Sequence, residues 1–223
     1  MLHTRHPDNH AGWAFFMSDK HTKHGTAQKS VMSLYAEDGK RKYLTKDERA
    51  AFLKAAEKAD REVRTFCATM AYSGCRVSEA LALTADRVDL SAGVIVLESL
   101  KKRRDGIYRA VPVPPEVLDA LELVHGIRAA QRQKDGGKSI RLWPWGRMTA
   151  WRRVTETMDA AGIKGPQASP KGLRHGFGVA AVSAGIPLNM VQKWLGHAQL
   201  ATTAIYADAV GEEEQAIASR MWG

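Results

Sequence analysis

At 223 residues the chain can form one domain or two small ones and bury a real core. Its 33 lysines and arginines against 24 acidic residues leave a net charge of +9, which favours a polyanionic partner, nucleic acid ahead of an anionic membrane surface. There is no apolar run of about 18 residues, so no membrane-spanning helix is expected, and the N-terminus lacks an apolar stretch of signal-peptide length; Cys67 and Cys75 are too few for a disulfide framework and lack zinc spacing, which fits a cytoplasmic protein with reduced thiols.

Residues 1–42 are polar and weakly patterned, with one apolar island at Gly12-Trp13-Ala14-Phe15-Phe16-Met17. Five of the eight histidines fall here at irregular spacing, which fits solvated side chains rather than a metal cluster. The segment reads as a polar, partly ordered arm ahead of a globular body over 43–223. That body opens on Thr45-Lys46-Asp47-Glu48, a capping box in which the threonine oxygen and the glutamate satisfy free backbone donors at a helix start. Ala51, Phe52, Ala55, Ala56 and Ala59 follow at helical spacing. A second helix is predicted over Arg61–Tyr72, closed by Ser73-Gly74, and a short third from Val77 or Ser78.

The period then becomes strand-like. Gly93–Glu98 and Ile107–Val113 flank a basic turn with an Asp105-Gly106 pair, a hairpin signal. Pro115 opens a helix predicted to run to about Ala130; another covers roughly Arg147–Ala161, and Trp143, Trp145 and Trp151 read as its core and rim residues ahead of a base-stacking role. Ser169-Pro170 caps a helix carrying Lys171, Arg174 and His175 that ends near Gly185. Pro187 begins the next, with Leu188, Val191 and Leu195 on one face. A helix or turn carries Thr203–Ala209, and an amphipathic helix over 212–222 closes the chain. No internal repeat is visible.

Two arginines with lysines between them, then a histidine and one late tyrosine, can assemble a site for breaking a phosphodiester without metal. The phosphate is anionic and resists attack; two guanidiniums can hold its non-bridging oxygens and neutralise the charge that grows in the transition state. Arg76 and Arg174 are the candidate pair, although Arg76 equally fits a local helix pair with Glu79 and Arg174 an ordinary surface residue. Lys171 precedes Arg174 by three positions on the same helical face, which suits convergence on a phosphate or a solvated basic stripe. His197 follows Leu195-Gly196 at a helix end. Tyr206 is the tyrosine nearest these groups; it could be a nucleophile or an aromatic packed on the preceding helix. A covalent phosphotyrosine keeps the bond energy, so a cut strand can be resealed without a nucleotide cofactor. Expulsion of the leaving alkoxide needs a proton, and Lys101 or Lys102 on the hairpin tip could supply it, Lys101 being favoured because it follows the apolar strand directly. Arg103 and Arg104 fit a tip that grips phosphate.

These residues resemble the tyrosine recombinase (phage integrase) family. Ser73-Gly74-Cys75-Arg76-Val77-Ser78-Glu79-Ala80-Leu81 resembles its first arginine box, Lys171 with Leu173-Arg174-His175 its second, and Leu195-Gly196-His197 with Tyr206 its third, from about Thr45 to Ala209. The resemblance implies a mainly α catalytic domain with a small antiparallel β-sheet (α+β) and no metal or cofactor. It implies that Arg76 and Arg174 clamp the scissile phosphate, Lys101 protonates the 5′-oxygen, and His197 bonds the phosphate and assists proton transfer. Tyr206 would attack to give a 3′-phosphotyrosyl link, which a partner strand's hydroxyl then resolves. Lys171 stands where the family often has histidine, and lysine also occurs there. The 42 residues ahead of the body are too few for the family's separate helical DNA-binding domain, so the chain resembles its short, stand-alone members. The arm or an accessory protein would then complete the grip on double-stranded DNA. The implied assembly is a homo-oligomer, a tetramer on paired sites, at the cytoplasmic nucleoid. Ala216, Ile217, Met221 and Trp222 give the last helix an apolar side for docking on a neighbouring protomer. Type IB topoisomerase action and non-catalytic DNA binding are the alternatives.

Overall fold

The computed structural model describes residues 33–100, 106–133, 139–208, 215 and 218–222, all within the compact unit Met32–Gly223. The elements are α1 (Lys46–Ala56), α2 (Arg61–Ser73), α3 (Val77–Leu81), β1 (Val88–Asp89), β2 (Val94–Glu98), β3 (Tyr108–Pro112), α4 (Pro115–His125), α5 (Ile127–Arg132), α6 (Arg147–Ala160), α7 (Pro170–Ser183), α8 (Leu188–Leu195) and α9 (Ala201–Ala204). A 3₁₀ turn over Ile205–Asp208 follows α9 directly.

The start of α1 is built as its sequence implies. Thr45 Oγ1 accepts from the Glu48 N–H at 3.3 Å, and the Thr45 N–H donates back to Glu48 Oε2 at 3.1 Å. Glu48 also takes Arg41 Nη2 at 2.7 Å, tying the segment before α1 to its first turn. At α7, Ser169 Oγ accepts from the Gly172 N–H at 3.1 Å, and Pro170 occupies a first-turn position whose N–H would have no helical partner. The predicted Pro115–Ala130 helix is two helices. Gly126 adopts φ 60°, which stops α4, and its N–H closes on the Glu122 carbonyl. The predicted C-terminal helix lies mostly outside the described residues; within them, Ser219–Met221 form a 3₁₀ turn.

The sheet is antiparallel in the order β1-β2-β3, with Ile95 opposite Val111 and Leu97 opposite Arg109. Alternation buries Ile95 and Leu97 on one strand and Arg109 and Val111 on the other. Those positions join a large core whose biggest members include Trp143, Phe52, Phe66 and Met70. Trp143 donates its indole N–H to the Glu62 carbonyl at 3.0 Å, so its full burial leaves no polar atom unmatched. Trp145 is half-buried against the same core and Trp151 is exposed. A second, smaller apolar cluster holds Leu34, Tyr43, Val179, Val191, Leu195 and Tyr206. The candidate site lies where the two clusters meet.

Candidate active site

Arg76 caps α3, just beyond the left-handed residue Gly74 that ends α2. Its guanidinium donates to Glu79 Oε1 at 2.7 Å and its backbone N–H to Glu79 Oε2 at 2.9 Å. The local pair that the sequence allowed is therefore real, but it extends inward. Glu79 is buried, and Oε2 also accepts from Arg109 Nη2 at 2.6 Å. Burial pushes the Glu79 carboxyl up, yet Arg109 and Arg76 outweigh it and hold it below the usual carboxylate range. Glu79 is thus an anion fixed between two cations, and Arg76 keeps Nε and Nη2 without partners among the described residues. Arg109 also donates Nε to the Trp194 carbonyl at 2.7 Å, which stitches the sheet to the end of α8.

Arg174 is buried on α7. Nη1 donates to the Gly74 carbonyl at 2.6 Å, Nη2 to the Leu195 carbonyl at 2.7 Å and to His197 Nε2 at 3.0 Å. One guanidinium thus connects the turn leading into Arg76 with the end of α8. Burial, reinforced by Arg76, lowers Arg174 to about 10, which leaves it cationic at neutral pH. His197 is held by its N–H on the Gln192 carbonyl and by Gln192 Nε2 on its own carbonyl, and Nδ1 lies 2.9 Å from Thr203 Oγ1. Burial first, then Arg174 and Arg76, press the imidazole down to about 3, so it is neutral near pH 7.

Tyr206 is 0% exposed. Its ring stacks on His197 with centroids 6.3 Å apart and planes at 16°, and its hydroxyl is 3.3 Å from His175 Nδ1. Burial raises the phenol above its ordinary value, and the charges of Arg174 and Arg76 oppose that rise. Both alternatives for this residue therefore coexist: it packs as a core aromatic, and it does so within the field of both arginines.

The structure brings Arg76, Arg174, His197 and Tyr206 together. Lys171 stands exposed at the start of α7 while Arg174 is buried, so their shared spacing does not make them equivalent; burial first, then the charges of Lys171, Arg174 and Lys42, lower His175 to about 4. Lys101, Lys102, Arg103 and Arg104 lie outside the described residues; the strands beneath them remain paired as far as the Ser99 N–H to Ile107 carbonyl bond at 2.8 Å. Sequence reasoning passed over Arg109, although its place one alternation from Val111 on a half-buried strand marked it as inward-facing. It gave His175 no role beyond its place beside Arg174 and passed over Thr203; their proximity to Tyr206 and His197 depends on α7 packing against α8 and the Ile205–Asp208 turn, and on α8 packing against α9.

An Arg–Arg–His–Tyr cluster at the junction of a helical body and a three-stranded sheet is the arrangement of a tyrosine recombinase catalytic domain. The chain belongs to the phage integrase family, which it matches over residues 42–213. It is 33% identical over 150 residues to the tyrosine recombinase XerD of Pseudomonas aeruginosa, covering 64% of this chain and 48% of that one. It thus spans about half the length of the curated relatives it matches. The structure of XerA recombinase superposes with a TM-score of 0.67 at 27% identity, covering 81% of this chain and 65% of that one. The Tn1549 transposon integrase in complex with circular intermediate DNA shares the fold, with a TM-score of 0.57 at 20% identity over 80% of this chain and 66% of that one.

Proposed function

We propose that the chain is the catalytic part of a site-specific DNA recombinase that cleaves and rejoins strands through a 3′-phosphotyrosyl intermediate. The observation that carries this reading is the reach of Arg174. Its guanidinium spans from the Gly74 carbonyl beside Arg76 to His197, on whose ring Tyr206 is stacked. Arg76, with two guanidinium nitrogens left open, and Arg174 hold the scissile phosphate. The field of the two cations also favours a phenolate-like oxygen on Tyr206 as it attacks phosphorus. His197 is neutral and bonds the phosphate once it carries a proton. Lys101 protonates the departing 5′-oxygen; Lys171 assists proton transfer from the exposed start of α7. Lys102, Arg103 and Arg104 grip the flanking backbone.

Tyr206 in this state has no exposed surface, so a phosphorus atom cannot reach its oxygen until the segment from α9 through Asp208 shifts. Double-stranded DNA is the partner that the net charge of +9 and the DNA-bound fold relative support. The polar stretch ahead of the compact unit, or an accessory protein in its place, completes the grip. A tetramer assembles on paired sites, with the segment over 212–222 docking on a neighbour, in the nucleoid. No helix among the described residues is long and apolar enough to cross a membrane.

Incubation with nicked suicide DNA carrying the native flanking sequence, followed by denaturing electrophoresis, tests the assignment. A protein–DNA adduct is expected from wild type and from Tyr108→Phe, and none from Tyr206→Phe. An undiminished adduct in Tyr206→Phe overturns it. An adduct accompanied by relaxation of supercoiled DNA lacking any recombination site points instead to topoisomerase action. Binding without any adduct points to a regulator.

A further inference from the structure

Thr203 is a buried threonine with a role that follows from donor and acceptor chemistry alone. A guanidinium only donates hydrogen bonds. Because Arg174 Nη2 donates to His197 Nε2 at 3.0 Å, that nitrogen carries no proton. A neutral imidazole must then carry its proton on Nδ1, and the atom 2.9 Å from Nδ1 is Thr203 Oγ1. Thr203 cannot be the donor here, since a ring accepting at both nitrogens would be an imidazolate. We propose that Thr203 is a positioning residue: Arg174 holds the tautomer of His197 through Nε2, and Thr203, accepting from Nδ1, fixes the plane of the ring.

The placement gives this bond a second consequence. Thr203 lies in α9, three residues before Tyr206, and its own N–H is anchored on the Leu200 carbonyl at 2.7 Å. The His197 ring is therefore tied to the short segment on which Tyr206 rides and against whose ring it stacks. A shift of that segment reorients the imidazole as it releases the phenol. The bond to Oγ1 also lets the ring accept a proton at Nε2 without losing its partner at Nδ1, the task a hydrogen-bonded orienting group performs for any catalytic histidine.

The proposal rests on the recombinase reading, and its test has one arm that does not. In DNA-free protein, long-range proton–nitrogen NMR correlations of the imidazoles, with His197 assigned by its loss in His197→Gln, report the tautomer directly. The Nδ1–H form is expected in wild type, Thr203→Ser and Thr203→Val, with the Nδ1–H proton resonance moved upfield in Thr203→Val alone as it loses its acceptor. The Nε2–H form in wild type, or an unchanged spectrum in Thr203→Val, overturns the proposal. In the kinetic arm, single-turnover adduct formation on saturating suicide DNA is expected to slow about tenfold in Thr203→Val, the order expected for one neutral hydrogen bond, with DNA affinity unchanged, and to recover in Thr203→Ser. Introduced into His197→Ala, Thr203→Val is expected to add less than about twofold, because a residue acting through His197 has nothing left to act on. Equal slowing in both backgrounds, or no recovery with serine, overturns the proposal. If wild type forms no adduct, the recombinase reading fails and the spectra alone decide the role of Thr203.

Discussion

The two halves of the site are anchored very differently. Arg76 and Arg109 sit against the larger core and share one carboxylate, Glu79, that is buried and locked by three hydrogen bonds. Tyr206 belongs to the smaller cluster and rides on a four-residue helix followed by a 3₁₀ turn. A four-residue helix has almost no propagation energy of its own and depends on packing. The half around Arg76 is thus held in place by a buried carboxylate, while the half that carries Tyr206 rests on packing and is the one expected to open locally. Arg174 and His197 lie on the seam between them.

Removing Glu79 should break this contrast most severely. Glu79→Ala leaves Arg109 buried without its carboxylate and frees Arg76 from its orientation. Breaking a buried pair from one side costs roughly 3–5 kcal/mol, so a marked fall in the urea midpoint is expected, with loss of adduct formation. Glu79→Gln keeps the shape and one acceptor and should lose less of each. If Glu79→Ala unfolds no more readily than wild type, the Arg76–Glu79–Arg109 triad does not stabilise the fold.

Gly178→Ala probes the other half. A Cβ at this position would sit 2.5 Å from the Tyr206 ring carbon Cζ, well inside contact distance. Alanine is otherwise the better helix former, so any loss reports the clash with Tyr206. Overpacking of this kind costs about 1–3 kcal/mol, and the cheapest relief is expulsion of the Tyr206 segment. Hydrogen exchange over 201–208 should therefore accelerate while α2 keeps its protection. Slower exchange over 201–208 than in wild type would show that this cluster is not the weaker one.

The same division explains what could be read before the structure. The Thr45–Glu48 capping box and Ser169-Pro170 are local signals, and α1 and α7 start where they mark; the two strands flanking the predicted Asp105-Gly106 turn pair as β2 and β3, while Asp105 itself lies outside the described residues. Arg76, Arg174, His197 and Tyr206 stand inside short local motifs, which is why the sequence offers them as candidates, and the fold brings them together. The buried links between them were not legible there. Arg109 meets Glu79 across 30 positions and Trp194 across 85, and no local pattern encodes such distances. His175 was visible only as the neighbour of Arg174; its contact with the Tyr206 hydroxyl spans 31 positions. The break at Gly126 was missed because a glycine within an amphipathic run is tolerated in many helices, and only its positive φ shows that it ends this one.

The smallest expected effect is that of mild acid, and it also separates the two halves. His175 and His197 have folded-state pKa values lowered to about 4 and about 3 by burial and by the cations facing them: Lys171, Arg174 and Lys42 around the first, Arg174, Arg76 and Arg109 around the second. In the unfolded chain each titrates near 6.5, so below that pH the unfolded state binds more protons. The stability they confer is complete above about pH 6.5 and declines as pH falls toward the folded values. Between pH 6.5 and 5.5 each contributes a loss of about 1 kcal/mol. Both rings contact Tyr206, so local opening of the smaller cluster meets this loss first. His125, lowered to about 4 mainly by burial, packs on Trp143 and imposes its share on the larger core. Exchange rates corrected for intrinsic chemistry should therefore show protection over 201–206 falling by less than that of α2 across this pH step, because the global opening that exposes α2 releases His125 as well. Equal losses in the two regions would mean that Tyr206 and its histidines open only when the whole domain does.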